Sequence, residues 1–245
     1  MQNVLKLIFS LLAISFFFTS CFQEEPEEWS VKHAGSLKNI MENNDLSAHV
    51  DLDTLSDLSN LYAVGALEGL KGEVIIIDGK PLIIKVDNED DDNDYTIDNS
   101  FDHKAVFLAY AQITEWQEIE IPVEVKTKYD LKRFLKKQAK GRGIPENKAF
   151  PFLIEGMISS FTWHIIDWDE SDSVHTHEKH KKSGLYHGKI EEMVQLVGFH
   201  SEKHHGIFTH QSSDVHMHVV YKDHSFGAHL DDCILGEGMI LKIPK

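Results

Sequence analysis

The pattern of apolar and polar positions gives its clearest strand and turn signals in two stretches of the chain. Between residues 72 and 85, two β-branched runs flank Asp78-Gly79. Asp-Gly between such runs is a strong short turn signal, so this stretch predicts a β-hairpin. Between residues 214 and 230, His216 and His218 alternate with Val215, Met217 and Val219. A strand there buries its apolar face and turns both imidazoles to the other. The polar run 222–225 reads as a turn. If Asp223-His224 is a two-residue loop, His218 lies directly opposite His229, and directly opposite residues share a face.

Other segments are shorter. Apolar positions at helical spacing predict helices over residues 36–43, with Leu37, Ile40 and Met41 on one face, and over 51–60, with Leu52, Leu55 and Leu58. Residues 130–140 predict a third helix, with Asp130 near its N-cap and Gly141 and Gly143 as stops. Pro145 predicts the opening of a fourth, through residue 154. Strand-like runs cover residues 61–67, 105–111, 116–123, 159–167, 190–199, 206–209 and 239–243. Strands with a few short helices point to an α+β fold, a mixed or antiparallel β-rich sheet or barrel with helices to one side. Residues 87–94 hold six acidic side chains. They lack the glycine and the terminal glutamate of a calcium loop and read as a solvated loop. Residues 169–184 read as an inserted polar loop carrying His175, His177 and His180.

Composition narrows the partners. The net charge of the 245 residues is -16, which argues against nucleic acid and against electrostatic docking on anionic lipid. It leaves an anionic substrate open, because a metal and one arginine can reverse the local sign. Residues 1–20 read as a signal segment: Lys6, an apolar run, then small residues before Cys21 that resemble the lipobox of bacterial lipoproteins. Cleavage before Cys21 and lipid on its sulfur would anchor an exported protein to the bacterial cell envelope, the membrane being reached through that anchor only. Residues 21–34 read as an acidic tether. The mature chain would keep one further cysteine, Cys233, read as a small buried hydrophobe, so no intramolecular disulfide is available.

Of the 16 histidines, 13 lie between His164 and His229. His216, His218 and His229 are singled out by their register. Three neutral nitrogens converging with room for a further ligand form the pattern of a catalytic zinc site rather than a closed structural one.

These residues carry a family resemblance. Gly69 to Lys80, with Gly72-Glu73 and Asp78-Gly79, resembles the Gly-Glu strand and turn of the acetolactate decarboxylases. Val197-Gly198-Phe199, Gly206-Ile207, His216-x-His218 and His229 resemble that family's zinc-binding segment. The likeness spans roughly residues 55–235. It implies two β-rich subdomains, about 35–140 and 141–245, with the metal in a cleft between them. It implies a zinc-dependent carboxy-lyase that converts a small 2-hydroxy-3-keto acid such as 2-acetolactate to acetoin and carbon dioxide. His216, His218 and His229 would hold zinc, and Glu73 would stand beside it as proton donor or outer ligand. Arg142, ahead of Pro145 and Phe150-Pro151-Phe152, is the nearest equivalent of a family arginine and would hold the carboxylate. A homodimer is compatible with this reading. The family's second active-site glutamate, near its C-terminus, has no counterpart before Lys245; Glu68 and His210 are the substitutes nearest the motifs. The alternative is a non-catalytic, lipid-anchored metal-binding protein that keeps the family fold.

Overall fold

A computed structural model describes residues 29–87 and 94–245. The signal segment, Cys21 and the acidic part of the tether lie outside the described residues, as does most of the acidic run 87–94. No helix among the described residues is long and apolar enough to cross a membrane.

The first sheet comprises β1 (Lys32–Ala34), β2 (Val50–Asp51), β3 (Leu61–Leu67), β4 (Glu73–Ile77), β5 (Lys80–Val86), β6 (Tyr95–Asp98) and β7 (Lys104–Gln112). Its order is β1-β7-β3-β4-β5-β6, with β2 also on β7. All its pairings are antiparallel. The hairpin of β4 and β5 has the expected register, Ile77 opposite Lys80. Asp78 and Gly79 have φ of 50° and 73°, the left-handed conformations that a tight type I′ turn requires.

Every residue of β4 is buried because both faces of the sheet are covered. Val74 and Ile76 pack in an outer cluster with Leu52, Leu55 and Leu61, whereas Ile75 and Ile77 join the main core. By the two-residue period of a strand, Glu73 belongs to the inner face.

The second sheet comprises β8 (Trp116–Glu120), β9 (Phe150–Ile165), β10 (Leu185–His200), β11 (Val215–Tyr221), β12 (Gly227–Ile234) and β13 (Ile240–Pro244). β9 and β10 form a long hairpin, and each runs for 16 residues. The C-terminal half of β10 pairs with β11, β11 with β12, and β12 with the C-terminal half of β9. Pairing therefore closes on itself through β9-β10-β11-β12. The chain passes from one sheet to the other between Gln112 and Trp116. The core is shared by the facing sides of the two sheets, and the histidine face of β11 looks across it, with His216 stacked on Phe107 of β7.

Three helices complete the fold. α1 (Leu37–Asn43) is capped by Ser36. α2 (Lys128–Gly141) starts one residue after Thr127, which forms a capping box with Asp130. α3 (His177–Lys181) is one short turn in the inserted segment.

Several elements differ from expectation. Residues 51–60 hold only a 3-10 turn, Leu52–Leu55, whose leucines cap the outer face of the first sheet. Residues 150–154 open β9 rather than close a helix. A short continuous apolar run fits a buried strand as well as a buried helix, and pairing with β10 and β13 decides for the strand. Residues 206–209 form a turn with one isolated bridge, His205 to Thr209. The last residues of the expected tether belong to the fold: Trp29 is buried with its Nε1 donating to the Lys245 carbonyl at 3.2 Å, and β1 pairs with β7.

Candidate metal centre

The turn at residues 222–225 fixes the register of β11 on β12. His218 stands opposite His229, and Val220 opposite Gly227, as a loop at Asp223-His224 requires. On its other edge β12 sets His229 opposite His164 of β9. The Nε2 atoms of His216 and His218 are 3.3 Å apart, and His216 Nε2 is 3.2 Å from His229 Nδ1. A tetrahedral site with bonds of about 2.0–2.1 Å has edges of about 3.3–3.4 Å, so these separations suit a shared zinc ion.

The protonation states agree. His216 Nδ1 lies 2.9 Å from the Phe208 carbonyl, which can only accept, so the ring proton is on Nδ1 and the lone pair on Nε2. Burial holds the His216 imidazolium pKa down at about 4. Burial and the neighbouring rings push His218 and His229 well below their ordinary value. Three neutral imidazoles with converging nitrogens are a fitting donor set for a borderline metal ion.

Glu73 completes this group from the opposite sheet. Its Oε2 is 3.8 Å from His218 Nε2, and its Oε1 accepts from the Ile166 amide at 3.1 Å. Burial raises its pKa to about 7, with His164 and the Ile166 hydrogen bond opposing the shift. These residues line a cavity of about 320 Å³ between the sheets, walled on one side by Leu37, Ile40 and Met41 of α1.

The sequence profile of the alpha-acetolactate decarboxylases matches residues 38–243. The chain belongs to that family. No curated protein matches it. Three solved structures share the fold. One is the alpha-acetolactate decarboxylase of Bacillus subtilis strain 168, 15% identical, with a TM-score of 0.68 over 88% of this chain and 86% of that one. Another is the acetolactate decarboxylase of Bacillus subtilis subspecies spizizenii, 16% identical, with a TM-score of 0.69 over 88% and 85%. The third is a Staphylococcus aureus protein of unknown function similar to alpha-acetolactate decarboxylase, 18% identical, with a TM-score of 0.66 over 87% and 84%. Membership of this metal-dependent family gives the chain an acetolactate decarboxylase-like function acting on a small molecule.

Against that family pattern, the expected residues divide. His216, His218, His229 and Glu73 meet at one point. Arg142 is not brought to them. It caps the C-terminus of α2, where its guanidinium is taken up by the Gln117 side chain at 2.8 Å and the Gln138 side chain at 2.7 Å. Glu68 is also elsewhere, accepting from the Ala48 amide, whereas His210 does line the cavity.

Three lining residues, His164, Asp231 and Lys128, carry chemistry that sequence reasoning missed. His164 faces the cavity with its Nδ1 2.8 Å from Asp231 Oδ2. Asp231 is a second carboxylate in the cavity, held also by Lys181 at 3.5 Å. Its signal was available: two residues past His229 on a strand means the same face. His164 had no local signal, because only the pairing of β9 with β12 brings it there. Lys128, first residue of α2, lines the cavity too, as does His177 of the inserted segment.

That segment is part of the site rather than an incidental loop. His175 stacks on Trp168 at 4.5 Å, and its two ring nitrogens meet His180 at 2.8 Å and the Asn44 side chain at 2.6 Å. His177 and His180 then border the cavity.

Proposed function

We propose that the protein is a zinc-dependent decarboxylase of a small 2-hydroxy-3-keto acid such as 2-acetolactate, releasing carbon dioxide and acetoin. The observation that carries this reading is the meeting of three neutral imidazoles, two of them buried, with a carboxyl group whose pKa burial raises to about 7.

His216, His218 and His229 would hold the zinc. When bound, zinc would supply Lewis acidity toward the electrons released as carbon dioxide leaves. His216 is fixed for this by its Nδ1–H donating to the Phe208 carbonyl, which orients the ring and keeps Nε2 unprotonated. In the substrate, the bond between the carboxylate carbon and C2 breaks, and its electron pair moves toward the adjacent carbonyl. The resulting enediolate needs a proton on carbon. Glu73 would give it. Its Oε1 is tethered by the Ile166 amide, its Oε2 is left toward the histidines, and a pKa near neutrality supports both loading and release of the proton. Asp231, which meets His164 Nδ1 at 2.8 Å, stands as the second carboxylate of the cavity.

Acetoin release from racemic acetolactate by the purified, zinc-loaded protein tests this reading, with His216→Ala as control. Product well above the control supports it. Zinc bound in stoichiometric amount without product would leave a metal-binding protein and remove the enzyme. The small residues before Cys21 support a lipid anchor in a bacterial cell envelope. Incorporation of labelled fatty acid, abolished in Cys21→Ala, tests that separately.

A further inference from the structure

We propose that Lys128 is the residue that binds the carboxylate of the substrate, a role for which Arg142 lies outside the cavity lining. The inference rests on the decarboxylase reading above.

The position of Lys128 follows from the start of α2. Thr127 and Asp130 cap the helix, so the first helical side chain leaves where α2 meets β12. Its Nζ donates to the Asp231 carbonyl at 2.9 Å and reaches the Leu230 carbonyl at 3.4 Å. An ammonium has three donors, so one is left for a ligand. Among the cavity-lining residues it is the one lysine or arginine, and among the described residues no carboxylate forms an ion pair with it.

A half-buried ammonium held by two backbone carbonyls, with Asp231 and Asp232 near but not paired with it, keeps one donor that a bound anion can take. A charge-assisted hydrogen bond from it to a carboxylate would fix that end of a small acid while the other oxygens face the histidines. Arg142 does not line the cavity, and its Nε and Nη1 are held at the end of α2 by Gln117 and Gln138.

Titration calorimetry of the zinc-loaded, full-length protein with lactate and with lactamide tests the assignment. The two probes share the 2-hydroxy group and differ in charge at the carboxyl position. Wild type should bind lactate at least about tenfold more tightly than lactamide, the order of one charged hydrogen bond. In Lys128→Gln the preference should collapse, with lactamide affinity and zinc content kept, and Lys128→Arg should restore it. A Lys128→Gln protein that keeps both its zinc and the full lactate preference would overturn the proposal. Should that variant fail to fold, the wild-type comparison still decides: equal affinity for the two probes also overturns it. Neither measurement needs turnover. A protein that prefers lactate through Lys128 but makes no acetoin would refute the decarboxylase reading alone.

Discussion

Replacing Glu73 with glutamine separates the electrostatics of the site from its chemistry. The glutamate is buried, with its pKa raised from 4.5 to about 7. The fold thus favours the protonated carboxyl, whereas the unfolded chain gives up the proton near 4.5. The resulting stabilisation is fully present below pH 4.5 and is lost as pH rises through 7. Glutamine has a similar shape and can accept the Ile166 amide through its carbonyl oxygen, but it cannot ionise. The metal-free variant should therefore match wild type below pH 4.5 and exceed it above pH 7. The interval from 4.5 to about 7 corresponds to about 3 kcal/mol. For a chain of this size that is roughly 6–12 °C in melting temperature. Urea unfolding of both metal-free proteins at about pH 4.5 and about pH 8 measures the difference at each end. Acetoin formation by the zinc-loaded pair, in parallel, should fall by a factor of about 10²–10⁴ if Glu73 carries the proton. A stability difference that does not change between the two pH values would refute the burial argument. Unchanged turnover would remove Glu73 from the proton transfer while leaving the burial argument standing.

Other outcomes follow from the same geometry. Arg142→Gln should leave acetoin formation within about twofold and cost less than about 1 kcal/mol, because its partners are the Gln117 and Gln138 side chains at the end of α2; a large rise in KM would return Arg142 to the site. His216, His218 and His229 have depressed pKa values in the fold, so each contributes stability that is present above its unfolded pKa and lost as pH falls. For His216 the window runs from 6.5 to about 4, and Glu73 opposes it with a similar shift. His218 and His229 tip the balance, so metal-free protein should lose net stability from pH 6.5 toward pH 4, seen as a falling urea midpoint. Asp231→Asn should release His164 and lose the ion pair with Lys181, at a cost of roughly 1–3 kcal/mol. Thermal unfolding of the variant checks that figure.

The metal-binding hairpin is legible in the amino-acid sequence because its information is local. The two-residue period puts His216 and His218 on one face, and the turn length sets His229 opposite His218. Glu73 is singled out only by the likeness of the Gly72-Glu73 stretch to the family, since the hairpin pattern around Asp78-Gly79 does not distinguish it from a strand-edge charge. Residues 145–154 are not, because a short apolar run satisfies a helix or a doubly covered strand equally, and only pairing with β10 and β13 separates them. Arg142 fails for a related reason. Its position ahead of a proline says nothing about which way a helix-end side chain turns, and Gln117 and Gln138 turn it away.

Sequence by itself determined the parts whose geometry is set by neighbours along the chain: the two hairpins, the faces of β11 and the three converging histidines, while α2 begins two residues before the expected start at Asp130, capped by Thr127. Tertiary structure alone decided what faces them. Glu73 reaches His218 because two sheets pack face to face, His164 and Asp231 meet through the pairing of β9 with β12, and Lys128 enters where α2 begins beside β12. Strand period and turn length act over a few residues, whereas the partners of a buried charge are fixed only when distant segments close on the same cavity.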